Sequence, residues 1–167
     1  MILDDGTRFC GHSFGAHKNI GGEVVFNTAM TGYTESLTDP SYAGQIMVLT
    51  YPLVGNYGVP ASDSWESEQI HAEALIVSDY SEEFSHWNAK ESLGDWLKRE
   101  QRPAITGIDT RALTKLLRER GVMMGRIEIE GIEDTPLELD YGDINYVERV
   151  SCRDIIRYNE GARKRVV

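Results

Sequence analysis

The segment "QIMVLT", Gln45 to Thr50, constrains the fold more than any other part of this 167-residue chain. Four apolar residues follow one another without the alternation of a half-buried strand and without the length of a helix. A run of this kind reads as a strand buried on both faces, which requires layers of structure above and below it. Ala72 to Ser78, "AEALIVS", repeats the pattern. Two such strands predict the centre of a covered sheet, and therefore an α/β domain.

The rest of the first half fits that expectation. Met1–Leu3 and Arg8–Cys10 flank "DDGT", a hairpin turn signal, because Asp and Gly tolerate left-handed backbone angles. "EVVFNT", Glu23 to Thr28, is rich in β-branched and aromatic residues and predicts another strand. Pro52 to Gln69 reads as a long polar loop, the kind of segment that carries function or motion. Between the strands, Thr38-Asp39-Pro40-Ser41 is a hydroxyl-rich turn. In the second half, Ser92 to Arg99 places Leu93, Trp96 and Leu97 at helical spacing. "GIDTRALTKLLRERG", Gly107 to Gly121, is a second helix, with Asp109 or Thr110 to cap its start and Gly121 to end it. Ala112, Leu113, Leu116 and Leu117 share the face expected against the sheet. Gly125 to Glu130 alternates and should return as a strand. Seven acidic residues and no basic one occupy 128–143, which predicts a solvated edge, and the tail ends in "RVV" like the start of a further strand.

Composition narrows the function classes. Apolar residues at 41% and charged residues at 26% are the balance of one globular domain. Twenty-seven acidic against seventeen basic side chains give a net charge of −10, which disfavours nucleic acid and anionic membrane as partners. No apolar stretch approaches the roughly 20 residues that span a bilayer, and no secretory signal opens the chain. Two separated cysteines, Cys10 and Cys152, point to a reducing compartment, so a cytoplasmic location is expected.

Chemical motifs are sparse. "CGHSFGAH" offers Cys10, His12 and His17, but a zinc site needs three or four ligands at workable spacing and no second pair follows, so no metal site is assigned. "GAHKNIGGE" has glycines without the order of a phosphate loop, and no cofactor site is assigned. Ser41, His71 and Asp39 could be imagined as a hydrolase triad, yet the GxSxG elbow is missing. The residues alone reach a soluble α/β domain with no visible nucleophile.

Three longer segments carry a resemblance. "GEVVFNTAMTGYTESLTDPSYAGQIMVLTYPLVGNYGV", residues 22–59, resembles the amino-terminal half of the small subunit of carbamoyl phosphate synthetase. "GIDTRALTKLLRERG" is similar to a second segment of that family. "VSCRDIIRYNEGARKRVV", residues 150–167, is similar to the linker and first strand leading into the family's glutaminase domain. Gly131 to Tyr146 departs from the family in being shorter and more acidic.

The resemblance implies an α/β fold of the swivelling β/β/α type over residues 1–147, with 148–167 as linker and the start of a truncated class I glutaminase domain. It implies a subunit that hydrolyses L-glutamine and passes ammonia to a large synthetase subunit, which makes carbamoyl phosphate from bicarbonate for pyrimidines and arginine. ATP and magnesium are expected on that large subunit, and no cofactor in this chain. The family's catalytic Cys, His and Glu belong to the glutaminase domain, and this chain has no GxCxGxQ elbow, so Cys10 and Cys152 are not cast as nucleophiles and the chain alone is expected to be inert. One position carries over: the serine of "TDPSY", here Ser41, contacts the substrate glutamine. Tyr51, Leu53, Tyr57 and Trp65 around the long loop are candidates for docking contacts or for core. Two rivals stand beside this reading: a free-standing, non-catalytic interaction domain with no use for Ser41, and a small hydrolase built on Ser41.

Overall fold

The computed structural model describes residues 1–132 and 144–157. Its centre is a sheet of seven strands: β1 (Ile2–Leu3), β2 (His12–Ser13), β3 (Ile20–Asn27), β4 (Gln45–Leu49), β6 (Ala74–Ile76), β8 (Ala104–Thr106) and β9 (Met124–Ile127). They lie in the order β1-β9-β3-β4-β6-β8-β2, and β5 (Leu53–Val54) pairs with β7 (Asp79–Tyr80) in a small separate ribbon. The four inner strands β3, β4, β6 and β8 run parallel. The outer pairings, β1 with β9, β9 with β3 and β2 with β8, are antiparallel.

Parallel strands need crossovers; helices supply two of them, and the long loop between β4 and β6 supplies the third. α1 (Tyr33–Thr38) lies between β3 and β4, and α2 (Leu93–Arg99) between β6 and β8. Both pack on one face: Tyr33, Leu37, Leu93, Trp96 and Leu97 meet Met47, Leu49, Leu75 and Val77. α3 (Thr110–Arg120) covers the other face, where Leu113 and Leu117 meet Ile46, Val48, Ala74 and Ile76. Alternate residues of β4 and β6 thus feed different cores, as the period of two requires. The expectation of strands buried on both faces holds, since Ile46, Met47, Val48, Leu75 and Ile76 are wholly buried.

Local signals set several boundaries. Asp109 Oδ1 accepts from the Ala112 N–H at 2.9 Å and so caps α3, while Ser92 caps α2 through Asp95 N–H. Gly121 ends α3 at φ 86°, a positive angle that other residues resist. "DDGT" turns the chain back, with the Leu3 N–H donating to the Thr7 carbonyl at 2.9 Å and Ile2 bridging Arg8.

Three details differ from the sequence reading. Ala112 is exposed, while Thr110 at the start of the helix is buried. The strand at 72–78 shortens to Ala74–Ile76 because its first residues turn to the adjacent Leu37–Gln45 segment. The long polar loop contains β5 and a 3-10 turn at Ser62–Ser64. The tail that ends in "RVV" lies outside the described residues, as does most of the acidic run. Among the described residues no helix is long and apolar enough to cross a membrane.

The junction leading from β2 toward β8 leaves no room for a side chain at Gly15. A Cβ there would lie 2.5 Å from the Arg102 carbonyl oxygen and 2.6 Å from the Ala104 nitrogen. On either side, Phe14 N–H donates to Ala104 O and Ala16 N–H to Arg102 O. Gly15→Ala should therefore force this ladder apart and cost about 1–3 kcal/mol. A urea melt measures it, and an unchanged midpoint would refute the close approach.

Candidate functional site

Ser41 sits in a short 3-10 turn, Pro40–Tyr42, that the sequence builds locally. Asp39 is extended, Pro40 takes the first helical position, and the Asp39 carboxylate accepts the Ser41 N–H at 2.8 Å. The turn closes with Tyr42 N–H on the Asp39 carbonyl and Ala43 N–H on the Pro40 carbonyl, both at 3.1 Å. Local backbone needs are met by Asp39 and the main chain. The Ser41 side chain is exposed, and its hydroxyl makes no hydrogen bond to another described residue.

The turn is held from its amino-terminal side by α1, a helix that the sequence reading missed. α1 follows Gly32 at φ 82°, and its two leading N–H groups, from Gly32 and Tyr33, both donate to the Tyr57 hydroxyl at 2.8 and 3.0 Å. Tyr33 in turn donates to the Gly58 carbonyl at 2.6 Å, and the two rings stack with centroids 4.2 Å apart. At the other end Thr38 is wholly buried. Its hydroxyl donates to the Thr34 carbonyl at 2.8 Å and accepts the Glu66 N–H at 2.9 Å, and its carbonyl accepts from Ser67 Oγ at 2.6 Å. The long loop therefore straps both ends of α1, which explains how six residues with two threonines stay helical.

On the far side the segment His71–Glu73 runs alongside the turn. His71 N–H donates to the Leu37 carbonyl, Ala72 bridges Ala43, and Glu73 N–H donates to the Gln45 carbonyl at 2.8 Å. Glu73 is a buried carboxylate between two guanidinium groups. Arg102 Nη1 lies 2.7 Å from one oxygen and Arg149 Nη2 3.2 Å from the other. Arg102 also donates to the Ile70 carbonyl at 2.9 Å. The pair with Arg102 is largely buried on both sides and is costly to break, whereas Arg149 reaches Glu73 from a half-exposed position. His71 is held below its ordinary pKa first by burial and then by the Arg102 and Arg149 charges, which outweigh Asp39 and Glu73. Its ring is therefore neutral at neutral pH.

Ser41, Glu73 and Arg102 each stand just before a parallel strand, β4, β6 and β8. They gather at the amino-terminal edge of the inner sheet. No hydrogen bond joins the His71 ring to Ser41 or to Asp39, whose carboxylate is turned to the Ser41 backbone. Among the described residues the imagined triad has no proton relay, and Ser41 has no activating base.

At the opposite, carboxyl edge, the segments leaving β3 and β4 expose Met30, Tyr51 and Leu53 around a small hollow of mixed polar and apolar lining. Of the four docking candidates, Tyr51 and Leu53 are exposed there. Tyr57 and Trp65 are half-buried and serve the core: Trp65 donates from its indole N–H to the Pro60 carbonyl at 3.2 Å and lies 4.8 Å from Trp96. A cleft of about 440 Å³ opens beside α1, walled by Thr34, Glu35, Tyr57, Pro60, His86 and Asn88, and Ser41 takes no part in it. Cys10 and Cys152 are exposed free thiols. Glu73 escaped the sequence reading, although an acid within an apolar run signals a buried partner. Arg149 gave no such signal.

The tyrosine pair supplies a pH test of the α1 anchor. Burial, and then the neighbouring phenol, raises the Tyr33 pKa above its ordinary 10.0, and burial likewise raises Tyr57. Folded-state values above the unfolded ones mean that this stability is complete below about pH 10 and declines as pH rises beyond it. Tyr33→Phe should lower stability by about 1 kcal/mol near pH 8, through the bond lost at Gly58. It should also flatten the alkaline decline. Urea melts at about pH 8 and about pH 11 measure both effects; an equally steep decline in Tyr33→Phe would refute the assignment.

The family described as carbamoyl-phosphate synthase small chain, CPSase domain, matches residues 1–127, which hold every strand of the sheet and α1 to α3. The arginine-specific small chain of carbamoyl phosphate synthase from Eremothecium gossypii is 47% identical over 162 residues, covering 92% of this chain and 41% of the relative. The mitochondrial carbamoyl-phosphate synthase [ammonia] of Homo sapiens is 43% identical over 177 residues, covering all of this chain and 12% of the relative. The multifunctional protein URA2 of Saccharomyces cerevisiae is 53% identical over 141 residues, covering 78% of this chain and 6% of the relative. The chain thus spans less than half the length of each of these relatives. By the match over most of its length, it belongs to the carbamoyl-phosphate synthase small-chain family.

Proposed function

We propose that this chain is the amino-terminal domain of the small subunit of a glutamine-using carbamoyl phosphate synthetase. It completes the glutamine site with Ser41 and docks on the large synthetase subunit, while the glutamine-splitting Cys, His and Glu are supplied by a glutaminase domain. The observation that carries this reading is the exposed Ser41 hydroxyl on a turn whose own backbone needs are already met. A hydroxyl in that state can donate to a carboxylate or accept from an ammonium, and glutamine has both. Pro40 and the Asp39 cap restrict the turn, so little ordering is lost when a ligand arrives.

The two edges of the sheet suit two neighbours. A glutaminase domain would meet the amino-terminal edge at Ser41. The Met30, Tyr51 and Leu53 patch at the other edge has the apolar centre that a docked large subunit would cover. ATP and magnesium would act on that partner. The two free thiols suit a cytoplasmic, reducing location.

A second reading has its own support: the human relative is named for ammonia, so this domain also occurs in a synthase named without glutamine. On that reading the domain is a non-catalytic interaction module. Ser41→Ala in the intact synthetase separates the two. A hydrogen bond to a charged group is worth about 1.5–3 kcal/mol, so the glutamine KM should rise about 10- to 100-fold. Carbamoyl phosphate formation from added ammonia should be unchanged. An unaltered glutamine KM would favour the interaction module.

A further inference from the structure

We propose that α4 (Tyr146–Val150) is a clamp on the Ser41 turn, with Tyr146 and Arg149 as positioning residues for its hydroxyl; this rests on the reading of Ser41 as a glutamine contact. Neither residue belongs to the stretch matched by the small-chain family, which ends at 127. Both nevertheless return to the same short piece of the domain.

The first contact falls on Gly44, three residues after Ser41. Gly44 is buried with φ 82°, a backbone state that lets the chain leave the turn and join β4. The Tyr146 ring lies against its α-carbon so closely that a Cβ at Gly44 would come within 2.5 Å of Tyr146 Cε1, Cζ and Oη. A glycine has the widest conformational range of any residue, and a ring pressed on it removes that range. The second contact falls on Glu73. Arg149 Nη2 lies 3.2 Å from Oε1, while the Glu73 N–H holds the Gln45 carbonyl, the residue after Gly44.

Tyr146 and Arg149 are three residues apart, so a helix brings both to one side. Val147 between them is left exposed. A helix of five residues does not hold itself together in water. Its Asn145 cap, which accepts the Glu148 N–H at 3.1 Å, adds one bond. The order of α4 therefore depends on the contacts it makes, and the rigidity of the exit from the Ser41 turn depends on α4. The two are coupled. Since α4 crosses positions 147 and 148, it joins the body of the domain to the segment leading onward, so a displacement of that segment would loosen the serine.

The test uses the intact synthetase and reads KM and kcat for glutamine beside the rate with ammonia. Tyr146→Ala and Arg149→Met should each raise the glutamine KM about five- to tenfold with kcat and the ammonia rate unchanged. Tyr146→Phe and Arg149→Lys should keep most of the parent KM. In a Ser41→Ala background, Tyr146→Ala should add no further increase, because the hydroxyl it positions is already gone. An increase that persists in that background would overturn the clamp, as would loss of the ammonia rate, which marks a structural role. If Ser41→Ala raises KM and both α4 variants leave it unchanged, the clamp falls and the reading of Ser41 stands. If Ser41→Ala itself changes nothing, the reading falls and takes the clamp with it.

Discussion

Strands β4 and β6 have no face to offer to water. Ile46, Met47, Val48, Leu75 and Ile76 are all wholly buried, and successive residues point to opposite sides. Both sides must then be covered, since an uncovered face would leave an apolar surface in solvent. α1 and α2 with the long loop cover one, and α3 covers the other. This single demand sets the layer arrangement, and it confines polar chemistry to the edges of the inner sheet. Ligands of open parallel sheets commonly gather at the carboxyl ends of the strands. Here the polar cluster of Ser41, Glu73 and Arg102 is at the amino ends, while the carboxyl edge presents the apolar Met30, Tyr51 and Leu53.

Among the described residues Glu73 is the charged side chain that is buried, and the edge is arranged around it. A carboxylate with almost no access to water needs its charge balanced and its lone pairs occupied. Arg102 and Arg149 meet that need from different parts of the chain, one from the segment before β8 and one from α4. Such a buried pair is weak evidence for stability by itself, because well-packed apolar residues can do as well. What it supplies is a fixed relation among β4, β6, β8 and α4. The Ser41 turn stands inside that frame.

The sequence was legible where local chemistry and periodicity decide. The cap at Asp109, the stop at Gly121, the hairpin at "DDGT" and the double burial of β4 all follow from short-range rules. The turn at Asp39-Pro40-Ser41 was legible for the same reason. α1 was not, because "YTESLT" carries β-branched and hydroxyl residues that favour other conformations, and its helix depends on Tyr57, Glu66 and Ser67 across the long loop. β2, β5 and β7 are two residues each, too short for any period to show.

By itself, then, the sequence determined that an α/β domain forms, that its central strands are enclosed, and that a proline-stiffened serine turn precedes one of them. Each of these depends on residues near one another in the chain, where spacing and backbone preference act directly. Only the tertiary structure decided that Ser41 shares its edge with Glu73 and Arg102, that Tyr57 anchors α1, and that Tyr146 lies on Gly44. Those partners are separated by tens of residues or more, and no local rule reaches them. Packing two layers on one sheet is what brings them together.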